Sequence, residues 1–309
     1  MADSKRIVSL LPNATEIVCK LGLQDQLVGR SHECDFPEDV TSLPALTEAK
    51  VATDTSSKEI DDRITDLLQR GMAVYEVDTQ KLEELHPDVV ITQTQCEVCA
   101  ASESEVKNAL QQLHGASPEL VSLEPTNLNG VLNDILTVSM ALDVHEEGTK
   151  VVNRLKERMN KIRDITQTLP LRPKVACVEW IDPLMTAGNW MPELVEMAGG
   201  TNVATQQGQH SHFINWQDLQ QEDPDVIVLM PCGFDRQQTE SEFDKLTQHP
   251  GWQEMKAVRN KRVFITDGHQ YFNRPGPRIV ESLQILAELI HPEVFQYGFE
   301  SNAWKKAIN

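Results

Sequence analysis

Short apolar runs separated by amphipathic stretches recur at both ends of the chain. RIVSLL (6–11), LVGRS (27–31), AVYEV (73–77) and DVVITQ (88–93) are too short and too continuous for helices, so they read as strands. Pro12-Asn13 opens a helix over 14–21 with Asn13 as its N-cap. A second helix over 79–85 leads into the fourth run and is stopped by Pro87. The last 140 or so residues repeat the plan. KVACVEW (174–180), DVIVLM (225–230) and RVFITD (262–267) read as strands, with helices at 191–198, near 243–246 and at 277–290. Continuous apolar strands with intervening helices predict parallel sheets covered on both faces.

Between these halves, 127–169 carries no strand signal. Residues 128–142 read as one helix and 145–168 as another, with Val151, Leu155, Met159, Ile162 and Ile165 at three- and four-residue spacing. Pro170 and Pro173 end it. A helix of that length spans about 36 Å. The expected architecture is α/β: two Rossmann-like lobes with parallel central sheets, a ligand cleft between them and one long backbone helix that limits hinge bending. Residues 1–125 form the first lobe, 126–170 the helical connector and 171–309 the second lobe.

Bulk composition narrows the function. A length of 309 residues at 40% hydrophobic supplies two cores. A formal net charge of −19 repels phosphate backbones and anionic lipid, so nucleic acid and membrane surfaces are excluded as partners. No run reaches the roughly 20 apolar residues of a spanning helix, so no membrane insertion is expected. The start MADSKRIVSLLPN lacks the apolar core of a signal peptide. The expectation is a cytoplasmic monomer as written, periplasmic if a leader was removed. Six cysteines are too few for a disulfide scaffold; Cys19 and Cys177 fall inside apolar elements and read as buried small hydrophobes.

Ligands of parallel α/β sheets bind outside the carboxyl ends of the strands, and there the chain gathers its unusual residues. His32, Glu33, Cys34 and Asp35 follow the second strand, and Gln95, Cys96 and Cys99 the fourth. Glu179, Trp180, Asp182, Asn189, Trp190, Cys232, Asp235, His269, Tyr271, Asn273 and Arg274 follow strands of the second half. Cys96 and Cys99, with His32 and Cys34, have the donor types of a zinc site; the same pair also reads as redox-active or as loop packing. Trp180, Trp190 and Trp216 could wall a flat apolar ligand. Arg274, on a stiff turn before Pro275-Gly276-Pro277, suits an anionic ligand group or braces the turn. No P-loop, GxGxxG, GxSxG or HExxH signature is present.

The stretches RIVSLLPNATEIVCKLG, HPDVVIT, PLMTAGNWMPELVEMAGGTNV and EDPDVIVL give the chain a resemblance to the vitamin B12-binding proteins of ABC importers, within the iron–siderophore, haem and B12 group. That resemblance implies docking on a permease through one exposed glutamate per lobe, here Glu222 and either Glu103 or Glu105. It implies an aromatic residue after DVVI, where this chain has Gln93, and a site aromatic at Trp216. The HECD, CEVC and PCG motifs lie outside the family pattern. The leading expectation is a cleft binder of cobalamin, another corrinoid or a similar metal chelate. Trp180, Trp190 and Trp216 act as walls, and Arg274 and Asn273 as anchors. Glu179, Asn189, Tyr271, Gln93 and Cys232 line the same cleft, with His32 or a cysteine as ligand to the chelated metal. The competing expectation is a cytoplasmic enzyme using Cys34, Cys96, Cys99 or Cys232 as thiolate and His32 or Glu179 as acid/base. A third is a structural zinc site that closes the first lobe.

Overall fold

Ile7, Val8 and Ser9 are wholly buried and form β1 (Ile7–Ser9), a strand at the centre of a four-stranded sheet. The computed structural model describes residues 4–94, 101–114 and 117–308. Among the described residues, the first part of the chain holds the strands β1, β2 (Leu27–Arg30), β3 (Thr47–Ala49), β4 (Tyr75–Val77), β5 (Val89–Gln93) and β6 (Glu119–Leu123). The parallel sheet runs in the order β2-β1-β5-β6. AVYEV does not join it: β4 pairs antiparallel with β3 as a separate ribbon. The fourth place is taken by ELVSL at β6, whose outward positions are exposed or half-buried and which therefore lacks a continuous apolar signature.

The connecting helices are α1 (Pro12–Lys20), α2 (Ser57–Gln69), α3 (Thr79–Leu85), α4 (Glu103–Leu110), α5 (Leu128–Ala141) and α6 (His145–Thr166). Pro12 sits at the first turn of α1, where its missing N–H costs nothing. The residue before it, Leu11, is the N-cap, and Asn13 lies inside the helix. Asp78 caps α3 by accepting from the Lys81 N–H, and His86, at φ 41°, ends it ahead of Pro87.

The second sheet is built from β7 (Lys174–Trp180), β8 (Met185–Thr186), β9 (Thr201–Asn202), β10 (His212–Phe213), β11 (Val226–Leu229), β12 (Val263–Thr266) and β13 (Trp304–Lys306). Its order is β10-β8-β7-β11-β12-β13, with β9 also on β7. The strands β7, β11 and β12 are parallel, as the apolar runs predict. The margins β8, β10 and β13 run antiparallel, so this sheet is mixed rather than wholly parallel. Its helices are α7 (Met191–Met197), α8 (Trp216–Glu222), α9 (Arg236–Thr247), α10 (Lys256–Arg259) and α11 (Ile279–Ile290).

Two compact units result. The first comprises Met1–Thr55, Asp62–Pro125 and Asn129–Arg154, and the second Ser56–Asp61, Thr126–Leu128 and Leu155–Asn309, so α6 contributes residues to both. Each has its own core. Val8, Leu10, Leu46, Leu82, Val90 and Val106 anchor the first, and Ala176, Ile181, Leu219, Ile227, Leu229 and Ile265 the second. Burying each such side chain is worth about 1.5–3 kcal/mol against leaving it in water, Ala less. No helix among the described residues is long and apolar enough to cross a membrane.

Candidate functional site

The carboxyl ends of the parallel strands carry the candidate residues, and each unit presents its own set. In the second unit, β7 ends in Glu179 and Trp180, both half-buried. Ser211 Oγ donates to Glu179 Oε2 at 2.7 Å and itself accepts from the Gly188 N–H at 3.0 Å. Burial pushes the Glu179 carboxyl up to about 7, against the opposing pull of the Ser211 hydrogen bond. Gly188 cannot be larger, because a Cβ there would lie 2.3 Å from the Gln209 carbonyl oxygen. The next residue, Asn189, is held at φ 52° with its N–H on that same carbonyl at 2.6 Å. Its buried Oδ1 has no partner among the described residues.

Trp180 packs on Phe234 from the loop after β11, with ring centroids 5.2 Å apart and planes 54° apart. Its buried Nε1 also lacks a hydrogen-bond partner among the described residues. Cys232, in the same loop, donates its N–H to the Glu179 carbonyl at 3.1 Å and leaves its thiol half-buried. The loop after β12 begins with Asp267, whose carboxyl is raised by burial, and continues as a single π-type turn over Gly268–Phe272. Gly268 lets this turn pass under the preceding loop: a Cβ would sit 2.2 Å from the Pro231 carbonyl oxygen.

Several expected ligand contacts are instead committed to the protein. Arg274 is only 4% exposed and its guanidinium meets His269 Nε2 at 2.7 Å, so it braces the turn. Asn273 Nδ2 donates to the Met230 and Gly268 carbonyls, which ties the same two loops together. Tyr271 is half-buried, with Arg278 5.7 Å from its ring centroid, and its phenol is raised by burial. Trp190, expected in an exposed loop position, is buried beneath it, with Nε1 donating to the Phe272 carbonyl. Trp216 lies in the second core, stacked at 4.5 Å on His249 and donating to the Pro250 carbonyl. The sequence singled out Trp180 and Glu179 but gave no sign of Ser211, which lies in a polar loop; Phe234 was signalled only by its place in PCGFD.

The strand-end residues of the first unit form a different network. His32 Nδ1 lies 2.8 Å from Thr47 Oγ1, and Thr47 donates onward to Ser31 Oγ at 2.9 Å. Tyr75 packs beside the imidazole at 5.8 Å and donates its hydroxyl to Glu33 Oε1 at 3.3 Å. Cys34 is not part of this group. It is 1% exposed, and its sulfur accepts from Thr15 Oγ1 at 3.1 Å. His32 and Cys34 thus have separate surroundings, and no cluster of three or more His, Cys, Asp or Glu among the described residues could hold a metal. Cys96 and Cys99, the other half of the expected zinc set, lie outside the described residues. The Cys19 and Cys177 thiols are pushed up to about 12 by burial, the reverse of what a nucleophile needs. Gln93, at the end of β5, is 7% exposed and its backbone bridges to Ser102.

The three glutamates that the resemblance marks for docking all have local partners. Glu105 closes the capping box of α4 with Ser102. Glu103 accepts from Ser122 at 2.7 Å and pairs with Lys107 at 3.0 Å. Glu222, at the end of α8, is half-buried and pairs with Lys174 at 3.3 Å.

Comparison with known proteins matches residues 7–269 to a family model described as periplasmic binding protein. The uncharacterized ABC transporter substrate-binding lipoprotein YvrC of Bacillus subtilis is 24% identical over 95% of this chain and 82% of its own length. The vitamin B12-binding protein of Vibrio cholerae is 22% identical over 91% of this chain and 87% of its own. Among solved structures, IsdE of S. aureus complexed with heme superposes with a TM-score of 0.71 at 18% identity, covering 93% of this chain and 99% of that one. The structural likeness establishes the two-lobed α/β fold.

Proposed function

Because the chain belongs to the periplasmic binding protein family, we propose that it is the substrate-binding component of an ABC importer whose ligand is a corrinoid. Two buried polar atoms at the strand ends of the second unit carry this reading: the Trp180 Nε1 donor and the Asn189 Oδ1 acceptor, neither with a partner among the described residues. An unpaired buried polar atom costs about 1–3 kcal/mol, which a ligand that pairs it recovers. A ligand that supplies both an acceptor and a donor, beside an apolar surface for Trp180 and Phe234, meets that need. The amide-fringed macrocycle of a corrinoid has both.

Charge separates this ligand from haem. Glu179 and Asp267 are carboxyls raised by burial, and the chain carries a formal −19. The nearby cations are already engaged: Arg274 with His269, and Arg278 with Gln270 and the Tyr271 ring. Propionates or other carboxylate groups would therefore meet carboxyl groups with little compensating charge, whereas neutral amides would not. The relatives named vitamin B12-binding protein support the same choice. In this reading the protein works where family members meet their permease, the periplasmic alternative, and Glu222 is a docking contact on the second unit, with Glu103 the counterpart on the first.

Isothermal titration of the purified, reduced protein with cyanocobalamin tests the reading. Saturable one-to-one binding in the micromolar range or tighter is expected, with Trp180→Ala weakening it. Absence of heat at two temperatures overturns it.

A further inference from the structure

We propose that Glu179 meets the ligand as a neutral carboxylic acid, donating through Oε1 to a carbonyl oxygen, so that binding at the strand ends of the second unit takes up a proton; this rests on the corrinoid reading above. The protons around the carboxyl can be counted. Ser211 Oγ accepts from the Gly188 N–H at 3.0 Å and lies 2.7 Å from Glu179 Oε2. A hydroxyl has one proton, and Oε2 is its acceptor among the described residues. A proton carried by Glu179 therefore sits on Oε1, which has no hydrogen-bond partner among the described residues.

The backbone holds Ser211 in that position. Gln209, two residues before it, takes the Asn189 N–H on its carbonyl at 2.6 Å, and His212, directly after it, pairs antiparallel with Thr186. Glu179 is fixed from the other side, with its carbonyl accepting the Cys232 N–H at 3.1 Å. Ser211 is thus a positioning residue that directs the free oxygen of the carboxyl.

The elements around Glu179 carry other titratable and charged groups. These are Cys177 on β7 itself, Asp182 after it, His210 and His212 beside Ser211, Cys232, Asp235 and Arg236 after β11, and Asp267, His269 and Arg274 after β12. None of them supplies a charge that favours the ionised carboxyl. Burial opposes ionisation, the Ser211 hydrogen bond alone favours it, and the balance lies at about 7. The Cys177 thiol stays protonated, being pushed up to about 12 by burial and by Glu179.

A ligand seated on this strand end removes the water left to the carboxyl, which disfavours its charged form further. The neutral acid and Trp180 Nε1 then offer two donors, and Asn189 Oδ1 one acceptor. Primary amides, with a carbonyl oxygen and an NH2 group, complement both kinds. By linkage the affinity is full at acidic pH. It falls above about 7, by up to about tenfold per pH unit, until the bound carboxyl itself ionises.

The test is calorimetric titration of the full chain with cyanocobalamin, whose own charge is constant over the range, from about pH 5.5 to about pH 8.5. A second series near pH 7.5 uses two buffers of different ionisation heat, which reads the protons exchanged on binding. The expected result is a loss of at least about tenfold in affinity across the range, with uptake of up to one proton per ligand. Glu179→Gln keeps an acceptor for Ser211 and a donor for the ligand. It should bind at about pH 8.5 within about threefold of wild type at about pH 5.5, and take up no proton. Ser211→Ala removes the one interaction that favours the charged carboxyl, so its fall in affinity should move to higher pH; a purely structural role would weaken binding at every pH without moving the midpoint. The buffer comparison needs wild type alone and stands whatever the variants do. Binding without proton uptake, a fall that persists in Glu179→Gln, or a midpoint unmoved in Ser211→Ala overturns the inference and leaves the corrinoid reading standing. Failure of cyanocobalamin to bind at any pH overturns both.

Discussion

The two sets of strand-end residues differ in hydrogen-bond economy. In the first unit Ser31, Thr47, His32, Glu33 and Tyr75 bond to one another, although Arg30 Nε at the end of β2 is buried without a partner among the described residues. In the second, Trp180 Nε1 and Asn189 Oδ1 are buried without partners among the described residues, beside a carboxyl pushed up to about 7. A satisfied network fixes geometry; an unsatisfied one stores a free-energy cost that a ligand can relieve. The contrast teaches that side chains bonded to one another leave less for a ligand to complete than side chains buried without partners.

A large effect should come from the close passage of the two loops in the second unit. Gly268→Ala drives a Cβ into the Pro231 carbonyl oxygen, which is backbone and cannot swing aside. A loss of about 2–4 kcal/mol in urea unfolding is expected. Next, Trp180→Ala removes the wall and the unpaired donor together and should weaken cyanocobalamin by about ten- to hundredfold in calorimetry. Trp216→Ala, equally aromatic but in the core, should lower stability by about 3–5 kcal/mol and leave the affinity of the remaining folded protein nearly unchanged.

A pH series sharpens the comparison further. The Glu179 carboxyl is raised from 4.5 to about 7 by burial, so between those values the folded state holds a proton that the unfolded state has lost. Its contribution is full below about 4.5, falls as pH rises toward 7 and is flat above. Asp134 in α5, also raised to about 7 by burial, adds a slope of the same sign. Glu179→Gln should therefore flatten part of the pH dependence of thermal unfolding, and Asp134→Asn a further part. The smallest effect belongs to Glu222→Gln. Its partly exposed pair with Lys174 is worth less than about 1 kcal/mol, so stability and corrinoid affinity should hold while permease-coupled uptake falls.

Legibility in the sequence followed burial. The strands β1, β5, β7, β11 and β12 are apolar on both faces and could be read directly, as could α5 and α6 from their spacing. The polar elements could not, or only in part: β6 alternates, β3 is TEA, and α9 was legible only near 243–246 because the rest of it is charged or polar. AVYEV carried an apolar signal but found its partner in that silent β3. At the site, Glu179 and Trp180 were legible because they end a recognisable strand. Residue type could not reveal that Trp190, Trp216 and Arg274 are buried and already bonded, since an aromatic or arginine near a strand end serves a core as readily as a ligand. Nor could spacing reveal that His32 and Cys34, two residues apart, have separate partners.

The most direct test is a side-by-side titration of the full protein with cyanocobalamin and with haemin under identical salt and pH. The account predicts one-to-one corrinoid binding at least tenfold tighter than haemin, because the second unit's strand ends offer unpaired amide-complementary groups and protonatable carboxyls. Haemin bound as tightly as or more tightly than cyanocobalamin would contradict it.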